Sequence, residues 1–92
     1  MVQIQNYIDG QLVAPLSKQW IDVVEPATGS AYASVPDGGD EDVAAAVQAA
    51  VRAFPSWSRT PAEERFRVLM EVAARIEARL DEFARAESVD TG

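Results

Sequence analysis

The side chains in this sequence that could do chemistry are almost all carboxylates. Adjacent acidic pairs occur at Glu63-Glu64 and Asp81-Glu82, and carboxylates serve in general acid–base catalysis or bind hard cations. Both pairs fall on predicted helix surfaces, where a solvated face is the simpler interpretation. The chain has no Cys and no His, which the commonest nucleophile-and-base pairings require. We therefore expect no catalytic residue in this chain.

Other motifs that could bind a ligand are weak. Gly38-Gly39 lacks the further glycines and the Lys of a phosphate-binding loop. Trp20 and Trp57 are more typical of core or interface anchors than of residues that stack on a ligand. The sequence therefore predicts no cofactor-binding residue from its motifs.

The charge distribution narrows the classes of partner. The net charge is −7, and residues 1–51 account for most of it, with seven acidic residues and one Lys. An acidic surface argues against nucleic-acid binding, which needs a basic footprint. No apolar run approaches the ~20 residues that span a bilayer, so no membrane partner is predicted either. The absence of Cys fits a reducing compartment, and the predicted location is the cytoplasm.

The first part of the chain, residues 1–38, is predicted to be rich in strands. Residues 7–13 have the pattern of a hairpin, because Asp9-Gly10 suits the positive φ angles of a two-residue turn. Residues 20–24 and 30–35 are predicted strands, with a turn at 26–29 between them that Pro26 and Gly29 favour.

The second part, residues 39–92, is predicted to be helical. The first helix should begin near Asp40 and end at Phe54, because Pro55 disfavours helical geometry in the residue before it. The second should begin with Thr60 as its N-cap and Pro61 at its first position. Its continuous pattern is too long for a small core, so we expect a break near Leu80-Asp81. Three pairs four residues apart should form ion pairs on its surface: Glu63–Arg67, Glu71–Arg75 and Asp81–Arg85.

These elements are expected to form part of a domain. A chain of 92 residues would be marginal as an independent fold, and it ends directly after an amphipathic stretch. The sequence is therefore interpreted as the front piece of a larger protein, with residues 1–92 as a partial domain and the remainder absent.

Five short motifs follow one another in an order that is characteristic of one family. They are Asn6-Tyr7-Ile8-Asp9-Gly10, Pro26-Ala27-Thr28-Gly29, Asp42-Val43-Ala44-Ala45-Ala46-Val47, Ala53-Phe54 with Trp57, and Glu87 through Asp90 to Gly92. Their order and spacing resemble the N-terminal segment of the NAD(P)-dependent aldehyde dehydrogenase superfamily, and the resemblance covers nearly the whole chain. The segments around Trp57 and Phe83 look most like the 2-hydroxymuconic and 2-aminomuconic semialdehyde dehydrogenases. One departure is Glu25, where the family usually has Asn.

The resemblance implies an α/β fold, the N-terminal part of the aldehyde dehydrogenase cofactor domain, with a hairpin and short strands followed by two or three amphipathic helices. It implies an oxidoreductase that converts an aldehyde, such as a muconic semialdehyde, to a carboxylic acid with NAD or NADP. The Cys, Asn and Glu that perform this reaction in the family have no counterpart in this chain, which alone would be inactive. The expected partners are the rest of the dehydrogenase chain and further copies in a homo-oligomer.

The resemblance also implies one binding site. Many members of the family hold a structural Na⁺ or K⁺, and the matching positions here are the backbone carbonyls of Val23 and Val24 and the carboxylate of Asp90. The simpler alternative is that the two valines belong to a strand core and Asp90 only ends a helix. Two further hypotheses for the whole chain are a free-standing acidic α/β protein-interaction module and a shortened remnant of the enzyme.

Overall fold

A computed structural model describes all residues from Met1 to Gly92. The chain forms five short strands and then three helices. The strands are β1 (Val2–Gln3), β2 (Asn6–Ile8), β3 (Gln11–Val13), β4 (Trp20–Val24) and β5 (Ala31–Pro36). The helices are α1 (Asp40–Trp57), α2 (Ala62–Ala78) and α3 (Leu80–Thr91). None of the three helices is long and apolar enough to cross a membrane.

The strands form two separate sheets. In the three-stranded sheet, β5 lies in the middle, with β1 parallel to it on one side and β4 antiparallel on the other. The second sheet is the hairpin of β2 and β3, closed by Asp9 and Gly10 with φ angles of 54° and 74°. Two successive positive φ angles are typical of the tight turn that matches the twist of a hairpin. The predicted hairpin and both predicted strands are confirmed.

Helix α1 begins at Asp40 as predicted, but the prediction that it ends at Phe54 is wrong. The helix continues through Pro55 to Trp57. Pro55 lacks only the N–H that would bond to the Val51 carbonyl, and the ladder resumes when the Ser58 amide donates to the Phe54 carbonyl at 2.8 Å. A proline in the last turn therefore removes one bond without ending the helix.

The start of α2 also differs from the prediction. Thr60 is not its N-cap, because its hydroxyl donates back to the Ser56 carbonyl at 3.3 Å. Pro61 occupies the cap position, and its carbonyl accepts the amides of Glu64 and Arg65 at 3.0 and 3.1 Å. The predicted break near Leu80 is confirmed: Arg79 has φ −121° and ψ 29°, which interrupts the helix between α2 and α3.

The chain has almost no closed core. Only 4 of 92 residues are buried: Pro15, Ala33, Ser34 and Asp42. The chain extends over 47 × 35 × 16 Å and has a radius of gyration of 16.7 Å, against about 12 Å for a compact protein of this length. Trp20 is half-buried and Trp57 is exposed, so neither anchors a core within this chain. The molecule is a thin layer with two broad open faces.

Candidate functional site

The C-terminal end of α3 is joined to the middle strand of the large sheet. The Tyr32 hydroxyl on β5 donates a hydrogen bond to Oδ1 of Asp90 on α3 at 2.7 Å. Gly92 lies close to the turn after β4, because a Cβ built on Gly92 would stand 3.4 Å from Cβ of Pro26. These two contacts bring the last turn of α3 to the end of β4, where the sequence places the candidate cation ligands.

A β-bulge explains how Tyr32 reaches Asp90. Val23 pairs with Ala33, and its neighbour Val24 pairs with Ala31, so Tyr32 is the extra residue of β5 at this step. A bulged residue is left out of the ladder and its side chain is re-aimed. The bulge therefore turns the Tyr32 ring toward α3, next to the strand step that holds both candidate valines.

The carboxylate of Asp90 raises the pKa of the Tyr32 hydroxyl. The hydrogen bond to Asp90 is the main cause that raises the pKa of the Tyr32 hydroxyl, and partial burial and the negative charge of Asp90 add to it. The neutral hydroxyl is thus favoured as a donor. No group of three or more Asp and Glu side chains converges in a way that could hold a metal ion, so a cation here would depend on backbone carbonyls besides Asp90.

The residue with the most organised polar surroundings is Asp42 in the first turn of α1. Its Oδ1 accepts the Leu16 amide at 2.7 Å, and its Oδ2 accepts the amides of Ser17 at 3.3 Å and Gly39 at 3.0 Å. The Ser17 hydroxyl in turn donates to the Asp37 carbonyl at 2.6 Å. We call Leu16, Ser17, Gly39 and Asp42 the Asp42 junction, which fixes the loop before β4 to the start of α1.

The Asp42 junction was not found from the sequence, which groups Asp42 with Asp40 and Glu41 as acids that favour a helix N-terminus. The Leu16 amide is the main cause that lowers the pKa of Asp42, followed by the Gly39 amide. Hydrogen bonds to the charged form explain the direction of this shift. The only local signal was the three-residue spacing from Gly39 to Asp42, which matches a helix cap. Asp42 therefore acts as a structural brace.

The adjacent acidic pairs Glu63-Glu64 and Asp81-Glu82 lie on exposed helix surfaces. Glu63–Arg67 and Glu71–Arg75 form the predicted ion pairs, each at 2.8 Å. The predicted pair Asp81–Arg85 is wrong, because these two side chains form no ion pair; the ion pair in this turn joins Arg79 to Glu82 through two hydrogen bonds. All these side chains are well exposed, so the solvated-face interpretation holds for both acidic pairs.

An open groove lies between the large sheet and α3. Its volume is about 580 Å³. The lining combines apolar side chains with a charged rim: Ile4, Tyr32, Asp81, Glu82, Arg85, Ala86 and Val89. A second concave surface lies between the hairpin and the alanines of α1, where Arg52 and Asp9 are 3.7 Å apart. Neither surface holds the converging groups of a catalytic centre.

Comparisons with known proteins identify the family of this arrangement. The chain is 47% identical over 92 residues to the human 2-aminomuconic semialdehyde dehydrogenase, and it spans 18% of that protein's length. An aldehyde dehydrogenase of Burkholderia cenocepacia superposes on the whole chain with a TM-score of 0.94 and 43% identity, over 19% of its own length. PnpE in complex with nicotinamide adenine dinucleotide superposes on 96% of the chain with a TM-score of 0.91 and 44% identity, over 18% of its length.

The match to the sequence model of the family also covers most of the chain. The model of the Aldehyde dehydrogenase family matches residues 12–92, which include the Asp42 junction, the bulge and all three helices. The α/β fold predicted from the motifs is therefore confirmed as that of the N-terminal part of these enzymes. The chain belongs to the aldehyde dehydrogenase family.

Proposed function

We propose that this chain is the N-terminal structural segment of an NAD-dependent aldehyde dehydrogenase that oxidises a semialdehyde of the muconic class to a carboxylic acid. The main support is the superposition of the whole chain on an aldehyde dehydrogenase with a TM-score of 0.94. The 47% identity to a 2-aminomuconic semialdehyde dehydrogenase supports the substrate class. The similarity to PnpE with its bound dinucleotide supports NAD.

In this proposal the segment braces the cofactor domain and does no chemistry. It has no Cys, so it cannot form the covalent thiohemiacetal through which the family reacts. With only 4 of 92 residues buried, a free-standing acidic interaction module is a weaker alternative. The larger enzyme would supply the catalytic residues and assemble as a homo-oligomer. The cytoplasmic location that the sequence predicts stays a prediction, which cell fractionation would test.

The proposal is tested with a chimera. Residues 1–92 replace the matching N-terminal segment of the human 2-aminomuconic semialdehyde dehydrogenase, and NADH formation is measured with 2-aminomuconic semialdehyde. We expect activity within about threefold of the parent enzyme, because the segment is 47% identical and a brace shifts rates less than a catalytic group does. The 92-residue chain alone should produce no NADH above a buffer blank. An insoluble or inactive chimera would refute the proposal.

The same proposal includes the cation site. The carbonyls of Val23 and Val24 and the carboxylate of Asp90 would hold a Na⁺ or K⁺ ion, for which a set of oxygen ligands with one charge is suitable. The support is that Tyr32 bonds to Asp90 at 2.7 Å and that Tyr32 is the bulged residue opposite the step from Val23 to Val24. A crystal structure of the chimera grown in K⁺ tests the site: electron density for an ion between Asp90 and the Val24 carbonyl is expected, and an Asp90 side chain turned to solvent refutes it.

A further inference from the structure

Tyr32 occupies a special position in the large sheet. It is the extra residue of β5 opposite the step from Val23 to Val24, because Val23 pairs with Ala33 and Val24 pairs with Ala31. The same two valines carry the candidate backbone ligands of the cation site. A bulged residue is left out of the ladder, and bulges are frequent next to functional sites, where they re-aim a side chain. The bulge thus places Tyr32 directly across the strand pair from both candidate carbonyl ligands.

The Tyr32 hydroxyl also engages the third candidate ligand. It donates a hydrogen bond to Oδ1 of Asp90 at 2.7 Å, and a carboxylate can only accept such a bond when it is ionised. Asp90 is exposed and lies in the last turn of α3, where a carboxylate without a fixed partner can adopt several rotamers. The hydrogen bond favours one of these orientations and leaves Oδ2 available to an ion.

An ordered ligand matters most for an ion that binds weakly. A monovalent cation attracts a carboxylate less strongly than a divalent cation does, so the entropy lost in fixing a free side chain offsets a larger part of its binding free energy. A carboxylate that a hydrogen-bond donor already holds loses less freedom when the ion binds. Groups that hold a metal ligand in this way commonly change metal affinity by about 10–100-fold.

We propose that Tyr32 is a positioning residue of the cation site, whose hydroxyl holds the Asp90 carboxylate so that one oxygen is presented to Na⁺ or K⁺. This inference rests on the proposed function, and specifically on the cation site within it. Two alternative roles of Tyr32 predict different results. A purely structural tie between β5 and α3 would stabilise the enzyme equally at every K⁺ concentration. A hydroxyl that competes with the ion for Asp90 would weaken K⁺ binding.

The melting temperature of the chimera described above tests the inference. It is measured over a series of K⁺ concentrations, with tetramethylammonium chloride added to keep the ionic strength constant. An ion that binds only the folded state raises the melting temperature once its concentration exceeds the dissociation constant, so the onset of the rise reports K⁺ affinity. In Tyr32→Phe we expect this onset at about tenfold higher K⁺ concentration. Tyr7→Phe, the same chemical change at a side chain that is 73% exposed, should not move the onset, and Asp90→Ala should abolish the rise.

The outcomes separate this inference from the proposed function. A Tyr32→Phe chimera that melts lower at every K⁺ concentration, with an unchanged onset, assigns Tyr32 a structural tie and overturns the inference alone. An onset at lower K⁺ concentration shows competition and likewise overturns it. An unmodified chimera that responds to K⁺ no more than to tetramethylammonium overturns the cation site, and an inactive one overturns the proposed function.

A crystal structure of the unmodified chimera grown in K⁺ gives a measurement that does not depend on the folding of a variant. We expect the Tyr32 hydroxyl to lie within about 3.0 Å of one Asp90 oxygen, with the other oxygen bound to the ion. A Tyr32 hydroxyl that binds the ion directly, or that has left Asp90 in the ion-bound enzyme, overturns the inference.

Discussion

The Asp42 junction and helix α2 keep their shape by different means. Asp42 is 6% exposed, and its carboxylate joins segments that lie 25 and 26 residues apart in the sequence. Helix α2 has no buried residue and forms exposed ion pairs between residues four apart, each worth only ~0.2–0.5 kcal/mol. The first region is thus fixed by polar contacts between distant parts of the chain, whereas the second is held only by contacts within its own helix and has no buried residue.

This difference indicates which part of the segment can be ordered alone. A carboxylate that accepts three backbone amides satisfies donors that a loop and a helix start would otherwise leave unpaired. Most helical stability in proteins comes from packing of the apolar face rather than from helix propensity, and no residue of α2 is buried. We therefore expect protection from hydrogen exchange to be concentrated at the Asp42 junction and to be low in α2.

The largest expected effect comes from Asp42→Ala, which removes every acceptor of the junction. The amides of Leu16, Ser17 and Gly39 would lose their bonds at 2.7, 3.3 and 3.0 Å. Their exchange with solvent, measured by NMR in the 92-residue chain, should accelerate at least about tenfold. Asp40→Ala is the matched control, because Asp40 is an exposed acid of the same helix turn. Equal acceleration in both variants would mean that Asp42 acts only through its charge at the helix N-terminus and not through its three hydrogen bonds.

A low pH should weaken the hydrogen bonds of the Asp42 junction without a mutation. The bonded amides lower the pKa of Asp42 below its ordinary value, so the contact favours the ionised carboxylate. Its contribution to stability is fully present above the ordinary pKa of about 4 and is lost as the pH falls through the lowered pKa of the folded chain. The protection of the Leu16, Ser17 and Gly39 amides from hydrogen exchange, measured by NMR, should therefore fall over that pH range in the unmodified chain. In the Asp42→Ala variant the protection of these amides should not change over the same range.

The sequence predicted local features of the fold better than contacts between distant residues. The hairpin at Asp9-Gly10 and the break before Leu80 were predicted because both depend on neighbouring residues, through positive φ angles and helix length. The role of Asp42 was not, since its partners lie 25 and 26 residues away and no periodicity marks them. Pro55 misled the prediction for α1, because a local preference against helix is weaker than the bonds that continue around it.

Prediction of the candidate cation site from the sequence had the same limit. The resemblance led to Asp90 and to the strand step at Val23 and Val24, but nothing in the sequence indicated that Tyr32 would bond to Asp90 across 58 residues. The bulge that turns Tyr32 toward α3 inserts one residue into β5, and the alternation of polar and apolar side chains does not record such a shift. Contacts of this kind require the pairing register, which only the structure provides.

The smallest expected effect concerns Tyr32→Phe, at the contact that joins α3 to the large sheet. The variant keeps the ring at the bulge and removes only the hydroxyl that donates to Asp90 at 2.7 Å. Because this bond is exposed to solvent, its net contribution is modest, and the exchange of amides in the last turn of α3 should accelerate by only about two- to fivefold. The Gly92 amide, which donates to the Ser88 carbonyl at 2.9 Å, is the clearest probe. Tyr7→Phe, at a side chain that is 73% exposed, should leave this amide unchanged. An effect of Tyr32→Phe as large as that of Asp42→Ala would show that α3 is held to the sheet as firmly as α1 is held to its loop.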